Sequence, residues 1–317
     1  MKPNADRVEA AFAAGRRAGR PLVVPFITAG FPHVTSTAPL VRALAGAGAD
    51  MVEIGMPFSD PLADGPTIQR SSEVALRGGM TVRRTLEDVG ELRAAGLETP
   101  LILMGYCNPL YAYGMEVFLD HAAKAGVDGL IIADMPPEEA EEFLAGCRET
   151  GISATFLVAP NAPDHRIRKV DAASTHFSYC VTVTGVTGAR ADVQERTVSF
   201  LERMRSLATK PFVVGFGIKQ PEHVEALGPH ADGVVVGSAL IDAIESAGGE
   251  ALSDQEAANA AAAIVAPLCE AARRCARRDA DGEGSDEADA AGGDEADDAG
   301  GDGADDGEAT GEAAGER

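Results

Sequence analysis

Between Met51 and Gln69 the chain reads MVEIGMPFSDPLADGPTIQ, and two carboxylates in this stretch stand where acids do chemistry. Glu53 lies inside a short apolar run, flanked by Met51, Val52 and Ile54. An ionised carboxylate is costly there unless it is paired or put to use. Asp64 follows in a Pro/Gly/Asp-rich segment that opens at Gly55 and Pro57. One acid on a buried strand end and a second on the loop above it make an acid–base pair over a pocket. A solvated turn with ordinary surface acids is the competing reading, and the apolar neighbours of Glu53 count against it.

The elements that must hold these acids follow a repeating rhythm. Short runs rich in β-branched residues occur at Leu22–Thr28, Met51–Ile54, Leu101–Tyr106, Gly129–Ala133, Ala154–Val158, Phe177–Val181, Phe212–Phe216 and Gly233–Val236. Helix-forming stretches lie between them, with starts marked by Pro136-Pro137-Glu138-Glu139, by Pro221-Glu222 and by the capping-box sequence Ser253-Asp254-Gln255-Glu256. An Ala- and Arg-rich helix, Asp6 to Arg20 with Gly19 near its end, precedes them. Eight strands joined by right-handed helical crossovers close into a (β/α)8 barrel, an α/β fold of the TIM type. An open doubly wound sheet would carry GxGxxG after its first strand, where this chain has Thr28-Ala29-Gly30-Phe31-Pro32. The interval from Ile54 to Leu101 is oversized, and the extra length is read as the Asp64 loop. A second loop, Val183–Asp192, follows the sixth strand.

Charge divides the chain in two. Of 317 residues, 50 are acidic and 27 basic, for a net charge of −23. Residues 279–317 hold 16 acids and one base and contain only Ala, Asp, Gly, Glu, Ser, Thr and Arg. No side chain there can anchor a core, so the expectation is a barrel domain over 1–278 and a disordered acidic tail over 279–317. Only five of the bases are Lys. Few lysines beside many acids resemble the surfaces of proteins from salt-loving organisms, and argue against nucleic acid or an anionic membrane as partner. The five cysteines (Cys107, Cys147, Cys180, Cys269, Cys275) have no CxxC spacing and read as reduced thiols of a cytoplasmic protein. There is no signal-peptide pattern and no apolar run long enough to span a bilayer.

In such a barrel the chemistry sits at the carboxyl ends of the strands. Strand seven ends Gly215-Phe216-Gly217-Ile218, and strand eight ends Val236-Gly237-Ser238 before a helix. Paired glycine exits on the last two strands, with a helix N-terminus beside them, suit a phosphate group. The alternative is that these glycines only relieve crowding. Phe26 on strand one and Tyr179 on strand six are open to two readings, barrel core or site lining. The six histidines form no HExxH pair and the cysteines lack zinc spacing, so no metal site is expected. GxSxG and Walker sequences are absent.

The stretches VEIGMPFSDPLADGPTIQ (Val52–Gln69), ITAGFP (Ile27–Pro32), TGVTGAR (Thr184–Arg190), GFGIK (Gly215–Lys219) and VVGSAL (Val235–Leu240) together resemble the tryptophan synthase alpha subunit family, from about Val8 to Cys275. The resemblance implies cofactor-free retro-aldol cleavage of indole-3-glycerol phosphate to indole and glyceraldehyde 3-phosphate. It implies that Glu53 transfers the proton and that Asp64 accepts the indole N–H, with Thr187 holding Asp64 after closure. It places Phe26, Ala133 and Tyr179 around the ring, and Gly188, Gly217, Gly237 and Ser238 around the phosphate. The implied partner is a beta subunit that carries pyridoxal phosphate, in an α2β2 tetramer, with Pro57, Asp60 and Asn108 facing it. The acidic tail lies outside the resemblance. Two other readings are a different phosphate-binding barrel, such as a sugar-phosphate isomerase or aldolase, and a non-catalytic barrel that activates a partner. A strand-end Schiff-base lysine is missing for the first, and the intact acids count against the second.

Overall fold

The computed structural model describes residues 6–181, 190–215 and 217–275. The order of elements is α1 (Asp6–Arg17), β1 (Leu22–Thr28), α2 (Thr37–Gly46), β2 (Val52–Gly55), α3 (Pro66–Arg77), α4 (Val82–Ala94), β3 (Leu101–Gly105), α5 (Cys107–Tyr113) and α6 (Met115–Ala125). It continues with β4 (Gly129–Ile132), α7 (Glu141–Thr150), β5 (Ser153–Thr155), β6 (Leu157–Val158), α8 (Asp164–Ala173), β7 (Ser178–Val181), α9 (Arg190–Leu207), β8 (Phe212–Gly215), α10 (Pro221–Leu227), β9 (Gly233–Val236), α11 (Ser238–Ala247) and α12 (Asp254–Arg274).

All the pairings are parallel, in the order β5-β4-β3-β2-β1-β9-β8-β7-β6. The two ends of that order are consecutive in the chain, so the sheet curls into a nearly closed barrel. The expected fifth strand is thus two segments, giving nine strands rather than eight among the described residues. Phe156 breaks it, because its N–H donates to the Ser174 hydroxyl at 3.2 Å instead of to a neighbouring strand. Strand interiors are buried on both faces, as a barrel wrapped in helices requires. With no tryptophan in the chain, the core is built from Val, Ile, Leu and Ala around buried Phe118, Phe177 and Phe212.

At the base of the barrel one device occurs three times. Asp50, just before β2, accepts the Val23 N–H of β1 at 2.9 Å and pairs with Arg20 at 2.7 Å. Asp128, just before β4, accepts the Leu101 N–H of β3 at 2.7 Å and pairs with Arg93 and Arg7. Asp232, just before β9, accepts the Phe212 N–H of β8 at 3.0 Å and pairs with Arg205 at 3.0 Å. Each acid accepts a backbone N–H at the start of a neighbouring strand, the first for Asp128 and Asp232 and the second for Asp50, and its arginine offsets the cost of holding the charge there.

Two helix expectations change. The long interval after β2 is not all loop: α3 is an additional helix, started by Gly65 and by Pro66 at its first position, where a missing N–H costs nothing. Pro136-Pro137 opens a 3-10 turn over Pro137–Glu139, and α7 begins only at Glu141. The capping box at Ser253 is formed in full, and Pro221 opens α10. Among the described residues no helix is long and apolar enough to cross a membrane. Residues 279–317, set apart in the sequence as an acidic tail, lie outside the described ones.

Candidate active site

Glu53 sits in the middle of β2, opposite Phe26 of β1 and Ile102 of β3 in register, and is 1% exposed. Alternation along the strand turns its side chain into the barrel while Val52 and Ile54 pack outside. Its Oε1 atom is buried and has no hydrogen-bond partner among the described residues. Burial, and then the nearby charge of Asp64, push its carboxyl up to about 8. Glu53 therefore keeps its proton at neutral pH.

Asp64 reaches the same space from the loop between β2 and α3. Local hydrogen bonds shape that loop: Asp64 N–H to Pro61 O at 3.0 Å, Leu62 N–H to Asp60 O at 2.9 Å, and the Gln69 amide to Asp64 O at 2.8 Å. Tyr106, just past β3, fastens it to the barrel. Its hydroxyl accepts the Ala63 N–H at 3.1 Å, and its ring packs on Phe58 at 5.4 Å between centroids. The same hydroxyl faces the Asp64 carboxylate. Burial lifts Asp64 to about 6, and the hydrogen bond from Tyr106 works against that rise. Burial also pushes both tyrosine hydroxyls, Tyr106 and Tyr179, upward, so each is a neutral donor.

Both acids line one cavity of about 340 Å³ at the carboxyl ends of the strands. Phe26, Met104 and Tyr179 supply its apolar walls, and Gly217, Gly237 and Ser238 lie along the rim. Crowding does not account for those glycines. A Cβ on Gly217 would meet no described atom within 4 Å, and its φ of +57° is what demands glycine. A Cβ on Gly237 would lie 3.4 Å from Phe26, an ordinary contact, but it would occupy the rim of the cavity. α11 starts at this point with Gly237 as its N-cap and no capping side chain. The N–H groups at the very start of α11, ahead of Leu240 whose N–H is bonded to Gly237 O at 2.9 Å, and the positive end of its dipole make a cradle of the kind that suits an anion.

The structure thus brings together Glu53, Asp64, Phe26, Tyr179, Gly217, Gly237 and Ser238. Ala133 does not line the cavity; its N–H is bonded to Gly105 O at 2.9 Å, at the mouth end of β4. Thr187 and Gly188 lie outside the described residues. Of the three expected partner-facing residues, Asp60 and Asn108 are exposed and Pro57 is buried. Pro57 directly follows Met56, whose N–H is still bonded to Met104 O at 2.8 Å, so it belongs to the packed exit of the strand rather than to the surface. Sequence reasoning missed Tyr106, read only as the end of a strand run. An aromatic hydroxyl at a strand's carboxyl end was the available signal. Among the described residues no group of His, Cys, Asp and Glu is arranged to hold a metal ion.

Comparison with known proteins agrees with this geometry. A model of the tryptophan synthase alpha chain family matches residues 12–272. The chain is 48% identical over 240 residues to the tryptophan synthase alpha chain of Roseiflexus castenholzii, across 76% of this chain and 92% of that one. It is 45% identical over 279 residues to that of Acidithiobacillus ferrooxidans, across 87% of this chain and all 100% of the relative. Among solved structures, the tryptophan synthase alpha subunit of Legionella pneumophila superposes with a TM-score of 0.77 at 32% identity, covering 84% of this chain and 98% of its own. A chain of tryptophan synthase from M. tuberculosis gives a TM-score of 0.74 at 32% identity, with coverage of 84% and 98%. The chain belongs to the tryptophan synthase alpha chain family.

Proposed function

We propose that the chain is a lyase that cleaves indole-3-glycerol phosphate to indole and glyceraldehyde 3-phosphate, and that Glu53 and Asp64 carry the reaction. The observation that supports this most is one cavity holding a buried carboxyl with one oxygen that has no partner among the described residues, a second acid above it and an anion cradle along its rim. The bond to break joins the indole ring to a carbon bearing a hydroxyl. Glu53, protonated below about 8, gives its proton to the ring carbon. Positive charge then spreads to the ring nitrogen, whose N–H donates to ionised Asp64, an interaction that strengthens as the charge develops. The Glu53 carboxylate left behind takes the proton of the chain hydroxyl. The carbon–carbon bond breaks, its electron pair returns to the ring, and the former hydroxyl carbon leaves as an aldehyde. Glu53 ends protonated, ready for the next turnover.

Phe26 and Tyr179 flank the ring, and Ala133 is not part of the lining. Gly217, Gly237, Ser238 and Gly188 take the phosphate through backbone N–H groups, and Thr187 holds Asp64 over the bound substrate. The reaction needs no cofactor in this chain. Indole is small and apolar, so delivery into a second enzyme docked on the mouth suits it. That partner is a beta subunit carrying pyridoxal phosphate, in an α2β2 complex in the cytoplasm, with Asp60 and Asn108 on the docking rim. The acid-rich, lysine-poor surface suits work in concentrated salt.

Incubating the purified chain with indole-3-glycerol phosphate and measuring indole tests the reading. Glu53→Gln and Asp64→Asn each lower turnover by about 10²–10⁴-fold, with unchanged far-UV circular dichroism. Near-normal turnover in Glu53→Gln contradicts the assignment.

A further inference from the structure

α3 begins two residues after Asp64, and its first turn lines the cavity through Pro66, Thr67 and Ile68. Asp242 stands on α11 one turn after Ser238, and its carboxylate accepts the Thr67 hydroxyl at 3.2 Å. The same carboxylate lies 4.0 Å from the Arg70 guanidinium and 3.5 Å from the Lys219 ammonium. Arg70 also binds Glu245 at 2.9 Å, and Lys219 lies two residues beyond Gly217. One carboxylate therefore touches the three segments that frame the mouth: the start of α3, the start of α11 and the turn after β8.

A bare acid one turn from an anion-binding helix N-terminus would repel the anion. Here Arg70 and Lys219 balance Asp242 and Glu245, so the seam can sit beside the cradle without opposing it. Deeper in α3 a buried bond at 2.6 Å joins Ser71 to Thr28 of β1 and anchors the body of the helix to the barrel. What the seam fixes is the first turn, the part continuous with Asp64. Its charged side chains are a third to a half exposed, so salt screens it.

We infer that Asp242 is a positioning residue that couples the anion cradle to Asp64. An anion bound at Gly217, Gly237 and Ser238 fixes the start of α11 and the Lys219 turn. Through Asp242 and Thr67 these fix the start of α3, and with it Asp64, over Glu53. The coupling rests on the reading that Asp64 acts on the substrate.

The test is the pH profile of kcat/KM for indole release at low salt in Asp242→Ala, Asp242→Glu and Asp64→Asn, with thermal melting as a control. Among the described residues the titratable groups facing Asp64, which are Glu53, Tyr106 and Tyr179, are unchanged in both Asp242 variants. In Asp242→Ala the start of α3 loosens and Asp64 gains water. Its carboxyl falls back toward the ordinary range, so the acid limb of the profile moves to lower pH. kcat/KM drops about fivefold, melting changes little, and Asp242→Glu restores both limb and rate. A wild-type profile in Asp242→Ala overturns the coupling. So does a loss of rate that follows the melting temperature with the limb unmoved. Normal turnover in Asp64→Asn overturns the role of Asp64 itself, and the coupling with it. Loss in Asp64→Asn beside an unaltered Asp242→Ala overturns the coupling alone.

Discussion

At the base of the barrel Asp50, Asp128 and Asp232 are each held by an arginine and by an N–H at the start of a neighbouring strand, whereas at the mouth Glu53 has a buried oxygen with no described partner. Asp128 and Glu53 are about equally hidden, at 0% and 1% exposure. Burial leaves both carboxyls raised, but at Asp128 the charge of Arg93, the Leu101 N–H and Arg7 offset part of the rise. Nothing does so for Glu53, where Asp64 adds to the rise. The acids at the base are each paired with an arginine and serve stability. At the mouth the cost of burial is left standing as a raised pKa, and a raised pKa lets a carboxyl give and take a proton near neutrality.

Substitution at the two ends should therefore fail in different ways. Glu53→Gln takes away about 10²–10⁴-fold in turnover and leaves the fold intact. Asp128→Ala strands Arg93, only 11% exposed, without its charge partner. It costs about 3–5 kcal/mol of stability in a urea titration, while the molecules that remain folded turn over normally. A base-rim variant that kept its stability but lost its activity would erase the distinction.

The two ends also differ in how stability depends on pH. The folded-state pKa of Glu53, about 8, lies above its ordinary 4.5. Between those values the folded chain keeps a proton that the unfolded chain has lost, so stability falls as pH rises through that window. Asp64 contributes in the same sense between 3.8 and about 6. Glu53→Gln removes the larger part of this slope, making the variant more stable than the wild type at pH 8 by on the order of a few kcal/mol. Melting curves at pH 5 and pH 8 for the two proteins measure the difference. A wild type whose stability rises across that range contradicts it.

Much of this was legible in the chain itself, for reasons specific to particular residues. The β-branched runs marked the strands because buried parallel strands admit little else, and the apolar neighbours of Glu53 announced an acid in the wrong solvent. What stayed hidden depends on partners far away in sequence. The break at Phe156 comes from the Ser174 hydroxyl, the grip on the Asp64 loop from Tyr106, and the anchorage of α3 from Thr28 and Asp242. Ala133 has the strand-end position of a lining residue, but it does not line the cavity.

Tyr106→Phe gives the smallest and most specific effect. Its hydroxyl lowers the Asp64 pKa, so losing it moves the acid limb of kcat/KM to higher pH by up to about one unit. The alkaline limb, set by Glu53, stays near 8. Movement of the alkaline limb instead would assign the two acids the other way round.

The most direct measurement is the titration of Glu53 itself, by isotope-edited infrared spectroscopy of its carboxyl stretch with Glu53→Gln to identify the band. A protonated carboxyl at pH 7 that ionises near 8 is the expected result. A Glu53 already ionised at pH 7, with a midpoint near 4.5, would contradict the contrast between the two ends of the barrel and the acid–base role built on it.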